Sequence, residues 1–376
     1  MIYLDNAATG GFKINAVTEI TNTVIKFLCA NPGRSGHRLS STGAELVFST
    51  RELIAKTFGG ESERVVFTKN CTEALNTAIF GYKNSYRKIL TSVYEHNSVL
   101  RPLNFLKTNG KAQVEVVSDK DEDLFSAFCK RIDSSVDLVV LSAVSNVTGK
   151  VLPFREIANV CKKHNVKILI DGAQAGGHLP LSIKNDGISM LALAGHKGLY
   201  GIMGTGVLLF SEDVSLTPLC FGGTGTETNN ELFPSTYPEK LEAGTLNLPG
   251  IASLYEGVKY VSNNLNNFNE LLFSVTKRVI EALSEIKGIT IYSVANPVGI
   301  VAFSIDNLAS TLAEEILNTE FDIAVRGGLH CAPLLHKRLN TDGDGLIRAS
   351  FSPQNTSSEI NAFILAIKKL SKRLNP

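Results

Sequence analysis

Several features that would indicate a membrane, secreted or nucleic-acid-binding protein are missing from this sequence. The 376 residues carry a formal net charge of +1, so no excess of positive charge is present to bind nucleic acid or an anionic membrane. The longest apolar runs, such as residues 136–144, are far shorter than the roughly 18 residues that a membrane-spanning helix needs. The first residues contain neither a basic region nor an apolar stretch, so we expect no signal peptide.

The cysteines also lack the spacing of a disulfide framework or a metal site. All six are scattered along the chain, and no two form a Cys-x-x-Cys pair. This pattern is typical of free thiols in a reducing compartment, so we expect a soluble cytoplasmic protein. Neither a Gly-x-x-x-x-Gly-Lys-Ser/Thr phosphate loop nor a His-Glu-x-x-His zinc pair is present. We predict no metal site.

What the sequence does contain, over its first three-quarters, is an alternation of strand and helix patterns. Strand-like runs occur at residues 64–68, 88–91, 113–117, 138–142, 167–170, 187–193 and 206–210. Helical spacing lies between several of them, as at 72–82 and 154–164. Such alternation predicts an α/β fold with a mostly parallel sheet covered by helices on both faces. Ligands of such sheets bind beyond the carboxyl ends of the strands.

The pattern changes after about residue 215. Residues 221–248 are rich in Gly, Thr, Asn and Pro and predict a long irregular segment, which is usually functional or part of an interface. A long helix is predicted at 250–286, strands at 290–294 and 299–304, and helices at 308–320 and 358–374. We therefore predict a large α/β domain over residues 15–250 and a smaller α+β domain over residues 1–14 and 251–376.

Two polar residues at predicted strand ends indicate cofactor chemistry. Asp171 ends one apolar strand, and Lys197 follows another in a glycine-rich turn. Taken singly, a turn-forming aspartate and a solvated surface lysine are the ordinary interpretations. Together they match the two fixed points of a pyridoxal 5'-phosphate site. There the aspartate keeps the ring nitrogen protonated and the lysine forms a Schiff base with the aldehyde.

Three further residues follow strands in the same way. His96 could stack on a cofactor ring, although a histidine at a helix start is equally ordinary. Thr72 opens a helix, where backbone amides and a hydroxyl suit a phosphate as well as a simple cap. Asn146 offers a side-chain donor at the same edge.

With these residues in place, the sequence resembles the class V aminotransferase family, and within it the cysteine desulfurases and selenocysteine lyases. The motifs that carry the resemblance are collinear and cover nearly the whole chain. They are Tyr3-Leu-Asp-Asn-Ala-Ala-Thr9, Asn31-Pro-Gly-Arg-Ser-Gly-His37, Glu95-His96-Asn97-Ser98, Ser145-Asn146-Val-Thr-Gly149, Asp171-Gly-Ala-Gln174, Gly195-His196-Lys197, Glu242-Ala-Gly-Thr245, Arg326-Gly-Gly-Leu-His330-Cys331-Ala332 and Arg348-Ala-Ser.

The resemblance implies a homodimer with the pyridoxal-phosphate-dependent transferase fold type I. It implies that Lys197 carries the cofactor, Asp171 pairs with the ring nitrogen, Gln174 bonds the phenolate oxygen and His96 stacks on the ring and moves protons. Its implied phosphate-binding residues are Thr72, His196 and, from a partner subunit, Thr245, and Cys71 is included among the cofactor-binding residues.

The resemblance also implies the substrate-binding residues. Arg348 would clamp the substrate carboxylate through its guanidinium. Asn146 would bind both the cofactor ring and the substrate, and Arg326 would complete the substrate site. One departure from the family is Ala194, where a phosphate-binding hydroxyl residue is usual.

Cys331 decides the subclass within the family. In the desulfurases, a cysteine at this place attacks the sulfur of cofactor-bound L-cysteine, forms a persulfide, releases L-alanine and passes the sulfur to an acceptor. Arg326 or a protonated His330 would help by lowering the pKa of the thiol. The short segment resembles the branch with a compact, ordered cysteine loop. The ordinary interpretation of a free cysteine is a buried structural one.

Two alternatives stay open at this point. The protein could use the same cofactor on another small amino acid, as a selenocysteine lyase or another class V aminotransferase or lyase. It could also be a non-catalytic family member retained as a partner-binding subunit. The joint presence of Lys197, Asp171, His96, Arg348 and Cys331 argues against that decay.

Overall fold

The strands of the described residues form one large and two small sheets. The computed structural model describes residues 1–227 and 229–374, so Thr228 in the predicted irregular segment and residues 375–376 at the predicted domain's end lie outside it. In chain order the strands are β1 (Ile2–Tyr3), β2 (Val65–Thr68), β3 (Lys88–Ser92), β4 (Gln113–Val117), β5 (Leu138–Ser142), β6 (Lys167–Asp171), β7 (Met190–Ala194), β8 (Gly206–Phe210), β9 (Ile289–Ile291), β10 (Ile300–Ile305), β11 (Ile323–Ala324) and β12 (Ile347–Ser350).

Helices connect these strands and cover the large sheet. They are α1 (Asn15–Phe27), α2 (Arg38–Phe58), α3 (Cys71–Tyr82), α4 (Asn97–Thr108), α5 (Leu124–Cys129), α6 (Phe154–Lys163), α7 (Leu248–Ser284), α8 (Ser310–Phe321), α9 (Pro333–Leu339) and α10 (Ser357–Leu374), with short 3₁₀ turns at Ser62–Arg64 and Glu239–Leu241. Within the described residues, no helix combines the length and the apolar character needed to cross a membrane.

The large sheet has seven strands in the order β2-β8-β7-β6-β5-β3-β4. Only β8 runs antiparallel to its neighbours, β2 and β7. Every residue of β5, β7 and β8 is buried, as expected for strands covered on both faces. The sequence prediction of an α/β fold with a mostly parallel sheet is therefore confirmed. The carboxyl ends of β3, β5 and β6 meet at one edge, where Ser142 pairs with Asp171.

The C-terminal part contains the two small sheets. Antiparallel strands form the order β12-β10-β9, and β1 from the start of the chain pairs in parallel with β11. Leu4 lies in the same hydrophobic cluster as side chains of α7, β10 and α10. The N-terminal segment thus packs with the C-terminal residues, as the predicted domain division requires, while the boundaries themselves stay a prediction.

Two predicted strands differ from the observed ones by three residues at one end, whereas the other differences are of one residue. The run 187–193 begins as a turn, because Gly187 has a left-handed backbone with φ +67°, and β7 starts only at Met190. The run 290–294 is observed as β9 and ends at Ile291. Near its end, the hydroxyl of Ser293 accepts the backbone N–H of Ala302 in place of a ladder carbonyl.

Candidate active site

A cleft of about 190 Å³ lies at the carboxyl edge of the large sheet. Eight of the predicted site residues line it: Cys71, Thr72, His96, Asn146, Asp171, Gln174, His196 and Lys197. They come from the ends of β5 and β6, the turn after β7 and the starts of α3 and α4. The parallel topology thus places together residues that are up to 126 positions apart (197 − 71).

Asp171 and Lys197 are oppositely charged residues of this cleft. Asp171 is only 6% exposed, and its Oδ1 accepts the backbone N–H of Ala173 at 2.9 Å and the thiol of Cys71 at 3.5 Å. Burial lowers the pKa of Lys197, and the charge of Asp171 opposes this shift in part. A lysine whose pKa is lowered is neutral more often, and only the neutral amine is a nucleophile.

The backbone turn that carries Lys197 is packed against two other segments. A Cβ atom on Gly198 would lie 2.4 Å from the carbonyl oxygen of Gly176, so only glycine fits there. On the other side, a Cβ on Gly10 would lie 2.3 Å from the carbonyl oxygen of Lys197. The turn is therefore held from both sides, which fixes the direction of the lysine side chain.

His96 caps the start of α4 and has a defined tautomer. Its Nδ1 accepts the backbone N–H of Ser98 at 3.0 Å, so the proton of the neutral ring is on Nε2. Burial lowers the pKa of His96, which favours this neutral form. The Ser98 hydroxyl lies 2.9 Å from Nδ1 and 2.8 Å from the Thr72 hydroxyl. Sequence reasoning gave Ser98 no role, although it follows His96 by two positions.

One end of the cleft is suited to an anion. The first turn of α3 begins with Cys71 and Thr72, and the unpaired N–H groups of a helix start favour negative charge. The Nδ1 atom of His196 is buried and has no hydrogen-bond partner among the described residues. A buried ring nitrogen without a partner is costly, so this atom is one that a ligand would satisfy.

Gln174 and Asn146 line the cleft, but both side chains have protein partners. The Nε2 of Gln174 donates to the carbonyl oxygen of Ala7 at 2.9 Å, which leaves one of its two N–H groups for a ligand. The Nδ2 of Asn146 donates to the carbonyl oxygen of His330 at 2.7 Å. Asn146 therefore supports the cysteine loop as well as the wall of the cleft.

Arg348 and Arg326 lie on adjacent backbone segments that exchange two hydrogen bonds. The Arg348 side chain is buried, donates from Nη2 to Asp5 at 2.9 Å and from Nη1 to the carbonyl oxygen of Asn146 at 2.9 Å. Its Nε has no partner among the described residues. Arg326 is half-exposed, and its positive charge contributes to the lowered pKa values of Lys197 and His96, after burial.

Cys331 is exposed and lies in a groove directly beside the cleft. The two share Thr72, His96 and Ser98 as lining residues. The alternative of a buried structural cysteine is therefore wrong. The backbone around the thiol is fixed, because the carbonyl of Cys331 accepts the N–H of Asn97 at 2.7 Å. Cys331 itself has a left-handed backbone, with φ +57°.

The prediction that a protonated His330 lowers the pKa of the Cys331 thiol is wrong. His330 is buried, and its Nε2 donates to the carbonyl oxygen of Leu346 at 2.9 Å. Burial, with the nearby charge of Arg348, lowers the pKa of His330 to about 2. The ring is therefore neutral near pH 7, and Arg326 is the remaining cation that the sequence analysis named.

Thr245 does not reach the cleft of its own chain. It is exposed in the irregular segment, where its hydroxyl accepts a hydrogen bond from Asn31 at 3.4 Å. Its role in a partner's phosphate site stays a prediction.

Sequence reasoning missed a buried carboxyl group beside the site, Glu95. Its oxygens accept the N–H of Ser142 at 2.9 Å and the Ser142 hydroxyl at 2.7 Å, and also contact the Ser92 hydroxyl. Burial raises the pKa of Glu95 to about 7. The available signal was its position, since it directly precedes His96 at the end of a strand.

Among residues 1–227 and 229–374, no three His, Cys, Asp or Glu side chains are grouped closely enough to hold a metal ion. The polar groups of the cleft are instead an amine, a carboxylate, imidazoles and hydroxyls.

Residues 2–363 match the family model described as aminotransferase class-V. The chain therefore belongs to the class-V aminotransferase family.

Within that family, several similar proteins are named as cysteine desulfurases. A probable cysteine desulfurase of Pyrococcus abyssi is 31% identical over 100% of this chain and 95% of its own length. Another from Methanothermobacter thermautotrophicus is 32% identical over 96% of this chain and 92% of its own length. The apo structure of a cysteine desulfurase from Thermococcus onnurineus NA1 superposes with a TM-score of 0.91, at 30% identity, covering 99% of this chain and 95% of that one. This likeness confirms the predicted fold type I.

Proposed function

We propose that this protein is a pyridoxal-phosphate-dependent cysteine desulfurase, which converts L-cysteine to L-alanine and collects the sulfur on Cys331. The observation that carries the proposal is the exposed Cys331, held in an ordered loop beside the cleft of Lys197 and Asp171. An aminotransferase needs no thiol at that place. The names of the similar proteins support the same activity.

The residues of the cleft fit the cofactor. Lys197 would hold its aldehyde carbon, and Asp171 would pair with the ring nitrogen. The start of α3, the Thr72 hydroxyl and the unpartnered Nδ1 of His196 would hold the phosphate. Ser98 supplies a further hydroxyl at this end, where Ala194 has none. When bound, pyridoxal 5'-phosphate supplies an electron-accepting ring that weakens the bonds around the α-carbon of an amino acid.

Other side chains would transfer protons and bind the substrate. The lowered pKa of Lys197 makes its Nζ easier to deprotonate than that of an ordinary lysine, so this atom could take up and return a proton. The neutral ring of His96 carries its proton on Nε2 and would stack on the cofactor. Arg348 would bind the substrate carboxylate through its free Nε, with Arg326 adding positive charge.

Cys331 would receive the sulfur of the substrate as a persulfide. Its thiolate attacks the sulfur of L-cysteine, a sulfur–sulfur bond forms, and the Cβ–Sγ bond of the substrate breaks. One thiol proton ends on Cβ, which completes L-alanine, and the persulfide keeps the other. The carbon is reduced while the two sulfur atoms are oxidised. An acceptor can then approach the exposed Cys331 and take the terminal sulfur.

Two properties complete the proposal. The protein would act as a homodimer, because Thr245 is exposed outside its own cleft and would hold the phosphate of the other subunit. The six cysteines are all unpaired, which supports the reducing environment of the cytoplasm.

The test is a product analysis. The protein is incubated with pyridoxal 5'-phosphate, L-cysteine and dithiothreitol, and sulfide and alanine are quantified together. We expect equal amounts from the natural protein, no sulfide from Cys331→Ser, and unchanged products from Cys129→Ser, a control for a thiol outside the site. Pyruvate in place of alanine would contradict the proposal. Unchanged turnover by Cys331→Ser would favour a selenocysteine lyase.

A further inference from the structure

The buried guanidinium of Arg348 already has a carboxylate partner, Asp5. The Nη2 of Arg348 donates to Asp5 Oδ1 at 2.9 Å, and its Nη1 donates to the carbonyl oxygen of Asn146 at 2.9 Å. The Arg348 side chain is 2% exposed and that of Asp5 is 21% exposed. An arginine buried this deeply would be costly without a negative partner, so Asp5 compensates its charge before any substrate binds.

Asp5 is held rigidly against the strand that carries Arg348. On one side of it, the carbonyl of Leu4 accepts the N–H of Ser350 at 2.7 Å. On the other side, the N–H of Ala7 donates to the Ser350 hydroxyl at 2.9 Å and the Asn6 amide donates to the Ser350 carbonyl at 2.8 Å. These bonds fix the Asp5 backbone two residues along β12 from Arg348. The Cα atom from which the carboxylate extends is thereby held beside Arg348.

The two partners of Arg348 leave its Nε without a hydrogen-bond acceptor among the described residues. Nη1 and Nη2 are both engaged, whereas Nε is buried and unpartnered among the described residues. A buried donor without an acceptor is rare, because the lost hydrogen bond to water is not replaced. The Nε edge is therefore the place where an additional carboxylate oxygen would be accepted.

We propose that Asp5 is a positioning residue, which holds the guanidinium of Arg348 so that its Nε edge faces the α-carboxylate of the amino-acid substrate. The inference rests on the proposed function, in which Arg348 binds that carboxylate. Asp5 does not touch the substrate. It fixes the plane of the group that does, with the Asn146 carbonyl as the second support.

The same segment also contacts the cofactor end of the cleft. The N–H of Gly10 donates to the carbonyl oxygen of His196 at 2.8 Å, and Gln174 donates to the carbonyl of Ala7. Residues 4–10 thus connect β12 with the turn that carries Lys197. This segment is thus one physical link between the proposed carboxylate site and the lysine, and the Asn146 carbonyl is another.

The test measures recognition of a carboxylate by equilibrium binding. Isothermal titration calorimetry of the holoenzyme gives the dissociation constants of L-alanine and L-alaninamide, which differ in the carboxylate. We expect the natural protein to bind L-alanine more tightly than L-alaninamide. The ratio of the two dissociation constants should fall at least tenfold in Asp5→Ala. It should fall about threefold in Asp5→Asn, because asparagine keeps an acceptor oxygen but no charge. Arg348→Ala is the benchmark for complete loss.

A matched control uses Asp322, another carboxylate that contacts the N-terminal segment. Asp322 pairs with the N-terminal amine of Met1 at the exposed end of β11, away from the cleft. Asp322→Ala is expected to change the preference less than twofold. Thermal unfolding followed by circular dichroism verifies that each variant is folded.

An unchanged preference in folded Asp5→Ala would overturn the inference. If Asp5→Ala does not fold, Asp5→Asn decides alone, and an unchanged preference there has the same meaning. A natural protein that binds both ligands equally also overturns it. The proposed function fails separately, in the product analysis, because ligand binding does not depend on sulfur release.

Discussion

Glu95 makes the stability of the protein depend on pH in an unusual direction. Its carboxyl group is completely buried next to His96 and accepts hydrogen bonds from Ser92 and Ser142. These bonds lower its pKa, but burial outweighs them and raises the pKa to about 7. The nearby charge of Asp171 adds to the increase. The group is therefore protonated in the folded protein at pH values where it is ionised in the unfolded chain.

The size of the effect follows from this difference. Between the ordinary value of 4.5 and the folded value of about 7, the folded state binds more protons than the unfolded state. Stability from this group is therefore present at low pH and is lost as the pH rises through that window. The full loss is about 3 kcal/mol, of which about 2 kcal/mol falls between pH 5.5 and pH 8.

The assay compares the natural protein with Glu95→Gln, which is neutral at every pH. Guanidinium chloride unfolding is followed by circular dichroism at pH 5.5 and pH 8. We expect the natural protein to lose about 2 kcal/mol relative to Glu95→Gln between the two pH values. The reasoning would be refuted if the free energies of unfolding of the two proteins differed equally at both pH values. It would also be refuted if the natural protein became more stable relative to Glu95→Gln at pH 8.

Asp137 provides a control for this experiment, because its pKa is shifted in the opposite direction to that of Glu95. It is a buried carboxylate paired with Arg87 and Lys83, and its pKa is lowered to about 2. The stability that it contributes is present above its ordinary value of 3.8 and is lost only as the pH falls toward 2. The difference between Asp137→Asn and the natural protein should therefore be the same at pH 5.5 and pH 8.

Two further predictions concern the cofactor cleft and the irregular segment. Cys71→Ala removes the thiol that donates to Asp171 and is expected to weaken pyridoxal 5'-phosphate binding about fivefold, or about 1 kcal/mol, in an absorbance titration. Cys71→Ser keeps a donor and should bind within twofold of the natural protein, and equal affinity for all three would contradict the role. Glu242→Ala leaves the buried Arg51 and the N–H of Phe67 without their partner and should cost about 3–5 kcal/mol in guanidinium chloride unfolding. A loss below about 1 kcal/mol would show that Arg51 finds another acceptor.

The strands and the centre of the site could be predicted because their signals are local. Residues 168–170 are continuously apolar and are all buried in the observed strand, so the pattern indicated both its position and its two covered faces. Asp171 and Lys197 each follow such a run. The rule that parallel strands present their carboxyl ends at one edge was then enough to place both in one cleft.

The parts that sequence reasoning missed depend on contacts between distant segments. Asp5 and Arg348 are 343 positions apart, and no spacing rule connects them. Asn146 was predicted as a donor, but its residue type does not reveal that the acceptor is the carbonyl of His330. The charge of His330 was misjudged for the same reason. Whether a histidine is protonated depends on burial, and burial there is set by packing that the local sequence does not encode.

These long-range contacts also relate the substrate clamp to the nucleophile. Arg348 donates to the backbone carbonyl of Asn146, and the Asn146 side chain donates to the carbonyl of His330, next to Cys331. Two hydrogen bonds thus connect the proposed carboxylate site with the loop that carries the thiol. Because the backbone of Cys331 is also bonded to Asn97, the loop has little freedom to swing between the cleft and solvent. In the proposed reaction, the acceptor would therefore have to approach Cys331 at its exposed position.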